Sequence, residues 1–215
     1  MPERILITDE YTPSESERRL YDLLYAYINQ PVKKAFPEMN QYDLALQLLS
    51  LQSSSTAAIL QTIKGVIKRL KAMPDAQNEL SQWREMQTVA ESIQLDAKAE
   101  KLLTALKLGF ALMKKCGAAK KAVIFTESAE TQKMLYALLR DDYQVAEYNG
   151  STDYSAIQAF KAGGEILLTT DNGAKGFNLE DAAFVIHYDL LYNTLKMEQR
   201  IDRCHRLGQD NDVLS

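Results

Sequence analysis

Cysteine is scarce in this sequence: Cys116 and Cys204 are the only two among 215 residues. They lie far apart and match no metal-ligand spacing. Both read as free thiols of a reducing compartment. Histidine is as rare, with His187 and His205 alone, so scattered thiols and imidazoles give no expectation of a metal site. No apolar run approaches the roughly 20 residues needed to span a bilayer. The opening Met1-Pro2-Glu3-Arg4 lacks the layout of a signal peptide. An intracellular, cytoplasmic protein is expected. Positive charge is not in surplus either: 25 Lys and Arg against 29 Asp and Glu leave a net charge of -4. That argues against an autonomous, strongly basic nucleic-acid binder, though not against a local phosphate-contacting strip on an acidic body. Two phosphate-binding signatures are absent as well. No G-x-x-x-x-G-K-[ST] is present, and no G-x-G-x-x-G follows the first strand. The first absence excludes a self-contained P-loop ATPase and the second argues against a Rossmann-type enzyme. Gly173-Ala174-Lys175-Gly176 is not a phosphate loop, because no Ser or Thr follows a Gly-Lys pair.

What is present is an ordinary globular mix, 46% hydrophobic and 25% charged, long enough to bury about 70% of its unfolded surface. Its character changes near Gln94. Before that point the chain is mostly helical. A short strand, Ile5-Leu6-Ile7, leads to a helix that begins with Pro13 and a Ser14/Glu17 capping box. This helix carries Leu20, Leu23, Leu24, Tyr27 and Ile28 on one face. Pro31 and Pro37 interrupt it. A second helix is predicted over residues 41–51, with Leu44, Leu48 and Leu51 inward. Ser53 to Ser55 break the pattern and offer an N-cap for a third helix reaching about Ala72. Pro74-Asp75 ends that helix, and Trp83 and Met86 suit a short further one.

After Gln94 the pattern alternates. A helix over residues 96–115 ends at Gly117, a C-cap. Short apolar strands then follow at residues 122–125, 145–148, 165–169 and 184–187. Helices separate them at 130–140 and 154–162, and a final helix starts near Asn193 or Thr194. Such alternation predicts a parallel α/β sheet. Ligands of an open parallel sheet bind beyond the carboxyl ends of its strands. The loops there, at 126–128, 149–152, 169–178 and 187–189, are rich in small polar residues and glycine. That composition suits close approach to phosphate oxygens, and it also suits plain turns. The last helix is more specific. Arg203 and Arg206 are three apart and share one face, with Arg200 a turn earlier. They form either a solvated basic face, an ion-pair network with partners such as Glu180, Asp181 and Asp189, or a pair fitted to a transferring phosphoryl group.

Residues 166–179, ILLTTDNGAKGFNL, resemble helicase motif V, and residues 199–209, QRIDRCHRLGQ, resemble motif VI. The latter looks like the Swi/Snf form, which opens on Gln and closes on Gly-Gln. Residues 184–193, FVIHYDLLYN, are similar to the Swi/Snf connector, residues 122–128, AVIFTES, look like motif IV, and residues 148–152 match the loop that follows. Residues 5–21 resemble the strand and helix leading into this lobe. Residues 41–72 are similar to the helical insertion of bacterial members. Agreement is strongest over residues 96–209. The chain thus resembles the C-terminal RecA-like lobe of a Swi/Snf-type, superfamily-two helicase-like ATPase of the bacterial kind.

The resemblance implies a division into a lead-in strand and helical insertion, residues 1–95, and a C-terminal lobe, residues 96–215, built as a three-layer RecA-like parallel sheet. It implies that Arg203 and Arg206 are arginine fingers reaching ATP held on a first lobe. It places Gly176, Asn178 and Gln199 beside the nucleotide. It also sets Thr126, Ser128, Gly150, Ser151 and Thr170 on the backbone of a nucleic-acid strand, duplex DNA being the family's usual track. ATP and Mg²⁺ would be held mainly by the first lobe, whose phosphate loop and acidic pair are not found here. Asp9-Glu10 mimics the acidic pair but stands where the lead-in strand belongs. The chain reads as an excised piece of a longer protein, inactive by itself. His205 would support its motif, and His187 would be structural. Lys64, Lys68, Arg69 and Lys71 form a basic helix face that could rest on DNA phosphates or simply be solvated. A degenerate RecA-like interaction module, and an RNA-directed member of the same family, are the competing readings.

Overall fold

The computed structural model describes residues 2–149, 154–170, 177–189, 194–206 and 208–215. Strand β1 (Arg4–Ile5) is followed by helices α1 (Glu15–Ile28), α2 (Gln41–Ser54), α3 (Thr56–Leu70), α4 (Gln77–Ser92) and α5 (Ala97–Lys115). Then come β2 (Ala122–Phe125), α6 (Ala129–Leu139), β3 (Val145–Tyr148), α7 (Ser155–Ala162), β4 (Ile166–Thr169), β5 (Phe184–His187), α8 (Thr194–Ile201) and β6 (Val213–Leu214). The chain forms two compact units: Tyr11–Glu100, and Met1–Glu10 together with Lys101–Ser215.

The Tyr11–Glu100 unit is helical. The Ser14/Glu17 capping box forms as expected: the Glu17 amide donates to Ser14 Oγ at 3.3 Å and the Ser14 amide to Glu17 Oε2 at 2.6 Å. Asn40 caps α2 by accepting the Asp43 amide, and Ser55 caps α3 by accepting the Ala58 amide. Helix α4 is longer than the short segment expected. Leu80, Trp83, Met86, Val89 and Ala90 recur at helical spacing along it and are all buried. Trp83 meets the Tyr27 ring edge-on at 4.8 Å, at the centre of this unit's apolar cluster. One carboxylate is buried beside them. Glu79 accepts the Tyr27 hydroxyl at 2.6 Å and the amides of Lys34 and Ala35 at 2.8 and 2.9 Å. It thereby satisfies the backbone where the chain turns after α1. Burial, and then the bond to Glu79, hold the Tyr27 hydroxyl protonated far above the usual phenol range.

The second unit is a six-stranded parallel sheet in the order β1-β6-β5-β2-β4-β3. Strands β2 and β4 are buried along their whole length, as continuous apolar runs in a sheet covered on both faces require. Alternate residues feed two cores. Ala122, Ile124, Ile166, Leu168 and Phe184 pack with Leu102, Leu106 and Phe110 of α5 and Leu135 and Leu139 of α6. Val123, Phe125, Leu167 and Val185 pack with Ile157 and Phe160 of α7 and Ile201 of α8. Three layers result, and the architecture is RecA-like. Gly109 of α5 lies so close to the sheet that an ideal Cβ would sit 2.1 Å from the Phe184 ring.

Two sequence expectations change here. The lead-in strand differs from Ile5-Leu6-Ile7: regular strand covers Arg4–Ile5 at the sheet edge, the Ile7 amide still bonds the Ser215 carbonyl at 2.7 Å, and the Leu6 and Ile7 side chains are exposed. An apolar triplet therefore does not mark a buried strand. Strand β6, beyond the last motif, was not foreseen. It inserts between β1 and β5, pairing Arg4 with Val213 and Phe184 with Leu214.

Candidate functional site

The carboxyl ends of β2 and β5 are joined by side chains. Asp189, just past β5, accepts the Thr126 hydroxyl at 2.7 Å and the Glu127 amide at 2.8 Å. Arg200 of α8 closes the arrangement. It donates to the Asp189 carbonyl at 3.2 Å and to Glu127 Oε1 at 3.0 Å, and it lies 5.1 Å over the Phe125 ring. Arg200 is 2% exposed, while the Glu127 side chain is 47% exposed. This guanidinium is a strut between α8 and two strand ends. It is not a surface group aligned with Arg203 and Arg206.

The reason is the course of the chain. Helix α8 stops at Ile201, and the Arg203 and Cys204 amides bond three residues back, to Arg200 and Ile201. The last turn is thus tightened, as helix ends commonly are. Arg203 and Arg206 therefore stand in the turn after the helix, which corrects the shared helix face expected from their spacing. This turn is sewn to the segment that follows motif V's glycines. The Leu179 amide donates to the Arg203 carbonyl at 2.9 Å, and Gln209 Nε2 donates to the carbonyls of Glu180 and Ala182 at 2.8 and 3.1 Å. Gly208 turns the chain at φ +104, a conformation that favours glycine.

Here the structure brings together residues singled out separately. Arg206 Nη1 donates to the side-chain carbonyl of Asn178, both on the surface. Arg203 is half-buried beside them in sequence, and Gln199 is exposed on α8. Among the described residues that one bond engages one of the five N–H donors of the Arg206 guanidinium. Gly176 lies outside the described residues, as do Gly150 and Ser151.

The residues assigned to a nucleic-acid strand divide. Ser128 is half-buried and caps α6 by accepting from the Thr131 amide at 3.3 Å. Thr170 is half-buried at the end of β4. Thr126 is corrected: it is 0% exposed and its hydroxyl is bound to Asp189, so it braces the site from within. The basic face of α3 is also partly engaged, Lys64 with Glu91 at 3.5 Å and Arg69 over the Phe36 ring at 5.2 Å. Asp9 pairs with Lys101 at 2.8 Å.

Cys204 is fully buried between these elements, and burial pushes its thiol up to about 12. His187 faces Ser215 Oγ at 3.1 Å and stacks on Phe125. Among the described residues no cluster of three or more His, Cys, Asp or Glu could hold a metal ion, and no helix is long and apolar enough to cross a membrane. Asp189 and Arg200 are the pair that sequence reasoning underrated. Both were visible as charged residues near motifs, but nothing in their spacing told that they bury against each other.

The family described as helicase conserved C-terminal domain matches residues 97–208, just over half of the chain. The chain belongs to this family. Similar proteins agree with the assignment. An uncharacterized ATP-dependent helicase, YqhH, of Bacillus subtilis (strain 168) is 27% identical over 209 residues, covering 93% of this chain and 34% of that protein. The chain thus spans about a third of that relative's length. Among solved structures, the C-terminal part of the Fun30 ATPase domain aligns with the whole chain and 84% of its own, at a TM-score of 0.65 and 18% identity. The Hef helicase domain of Pyrococcus furiosus aligns with the whole chain and 55% of its own, at a TM-score of 0.61 and 16% identity. These structural likenesses show the fold, and the family match over residues 97–208 bears out the resemblance to a helicase C-terminal lobe.

Proposed function

We propose that this helicase lobe is the second lobe of a Swi/Snf-type translocase, and that it completes an ATP site whose phosphate-binding half belongs to a first lobe. One observation carries the reading: Arg206 and Asn178, from motifs VI and V, meet at the surface of the α/β unit. Guanidinium groups with donors to spare fit an anionic nucleotide. Mg²⁺ has no such set of ligands among the described residues, and no step here depends on it.

When ATP is bound on the first lobe, it supplies a γ-phosphoryl group whose equatorial charge must be stabilised during transfer. Arg203 and Arg206 stabilise that charge once the lobes close, a role worth about 10³ to 10⁵ in turnover. Asn178 orients the Arg206 fork and contacts the sugar side of the nucleotide together with Gly176. Gln199 faces the phosphates. Arg200, Asp189 and Thr126 hold α8 rigid, so the two arginines start from a fixed platform. Ser128, Gly150, Ser151 and Thr170 contact the phosphate backbone of duplex DNA, positioning it without reading sequence. The helical unit is an insertion in this lobe.

The test is ATP turnover by a two-lobe protein containing this chain, with duplex DNA, single-stranded DNA or RNA added, in wild type and in Arg203→Ala. Stimulation by duplex DNA, lost in Arg203→Ala, supports the proposal. Stimulation by RNA alone would replace the DNA assignment with an RNA one. Turnover by this chain alone would overturn the two-lobe reading, and none in the two-lobe protein would favour a degenerate interaction module.

A further inference from the structure

The turn that carries Arg203 and Arg206 is held on its other side by the first residues of the chain. Arg4 Nη2 donates to Asp202 Oδ1 at 2.5 Å, and Arg4 Nε donates to His205 Nδ1 at 3.0 Å. His205 Nε2 in turn donates to the Pro2 carbonyl at 2.7 Å. With one ring nitrogen accepting and the other donating, the bonding pattern calls for a neutral imidazole with its proton on Nε2. The lead-in strand is itself fastened at Glu3, between Pro2 and Arg4. The Glu3 amide donates to Asp212 Oδ1 at 2.7 Å, and the Val213 amide to the Glu3 carbonyl at 2.9 Å.

Asp202 and His205 flank Arg203, and His205 directly precedes Arg206. Arg4 therefore grips both ends of the tetrapeptide Asp202–His205. A surface ion pair alone contributes little. Here the same planar fork also binds a ring that is 7% exposed, so the two bonds fix a direction as well as a distance.

We propose that Arg4, Asp202 and His205 form a clasp through which the lead-in strand positions the arginine turn. Arg4 is a positioning residue: it touches neither nucleotide nor nucleic acid, and it sets the direction in which Arg203 and Arg206 project. A pull on the lead-in strand reaches the arginine turn directly through these side-chain bonds. The inference rests on the reading of Arg203 and Arg206 as the functional pair, but the clasp itself can be tested without nucleotide.

The direct test is nuclear magnetic resonance on this chain. The expected signature is a scalar coupling across the hydrogen bond from Arg4 Nε to His205 Nδ1, with the His205 proton on Nε2. In Arg4→Ala the coupling vanishes, and amide exchange at Arg203, Cys204 and His205 accelerates about tenfold, the order expected for losing these bonds. Arg4→Lys keeps a cation for Asp202 but has no fork, so it leaves exchange close to the Arg4→Ala rate. Absence of the coupling in the wild type, or exchange in Arg4→Ala equal to the wild type, overturns the clasp. In a two-lobe protein, kcat falls in Arg4→Ala with the nucleotide KM held. If Arg206→Ala leaves turnover intact while the coupling is present, the arginine assignment fails and the clasp stands. If Arg206→Ala abolishes turnover while Arg4→Ala changes neither exchange nor kcat, the clasp fails and the assignment stands.

Discussion

Removing Arg200 should loosen the arginine turn that follows α8. The guanidinium makes charge-assisted bonds to the Asp189 carbonyl and to Glu127, and covers the Phe125 ring. Deleting one partner of a buried pair commonly costs about 3–5 kcal/mol. Glu127 is half exposed and rehydrates when stranded, which places Arg200→Ala at about 3 kcal/mol, the low end of that range. Cys204, four residues on and fully buried, reports on the opening. Exposed Cys116 reacts with a thiol reagent at once, whereas Cys204 reacts only when its surroundings open. At about 1.4 kcal/mol per decade, Arg200→Ala should speed Cys204 labelling about a hundredfold. Arg200→Met keeps an aliphatic stem and should fall between the two. Labelling of Cys204 at the wild-type rate in both variants would refute the strut.

Three further outcomes follow from the packing. Glu79→Ala strands the Tyr27 hydroxyl, the buried Ala35 amide and the half-buried Lys34 amide, so it should cost about 3 kcal/mol, read from urea unfolding followed by the fluorescence of Trp83, the only tryptophan. Gly109→Ala forces a Cβ against the Phe184 ring and should cost about 1–3 kcal/mol, measured by circular dichroism on denaturant titration. Burial raises the Glu147 carboxyl above its ordinary value of 4.5, against a smaller opposing effect of Lys133. The protonated form is thus favoured in the fold, so wild-type stability from this group is complete below 4.5 and is lost as pH rises through the folded value. Glu147→Gln should therefore match the wild type in acid and exceed it in stability at neutral pH.

Much of this molecule was legible beforehand where local chemistry acts alone. The Ser14/Glu17 box, the Ser55 cap and the buried runs of β2 and β4 depend on near neighbours and formed as expected. The motif residues Asn178 and Arg206 were legible by resemblance, and the fold brings them into contact. What escaped depends on distant partners. Strand β6 is two residues long, too short for any period, and exists because β1 and β5 flank it. The turn at Arg203 after α8 is held by the Leu179 amide, with Gln209 bonded to the Glu180 and Ala182 carbonyls beside it, contacts that no helical wheel contains. Thr126 looked like a surface hydroxyl until Asp189, 63 positions away, claimed it.

The central claim is that this lobe completes an ATP site through its motif VI arginines. Its most direct test is duplex-DNA-stimulated ATP hydrolysis by a two-lobe protein containing this chain, wild type against Arg206→Ala, with folding checked by circular dichroism. A loss of about a hundredfold or more is the predicted result, whereas turnover unchanged in a well-folded Arg206→Ala protein would contradict the claim.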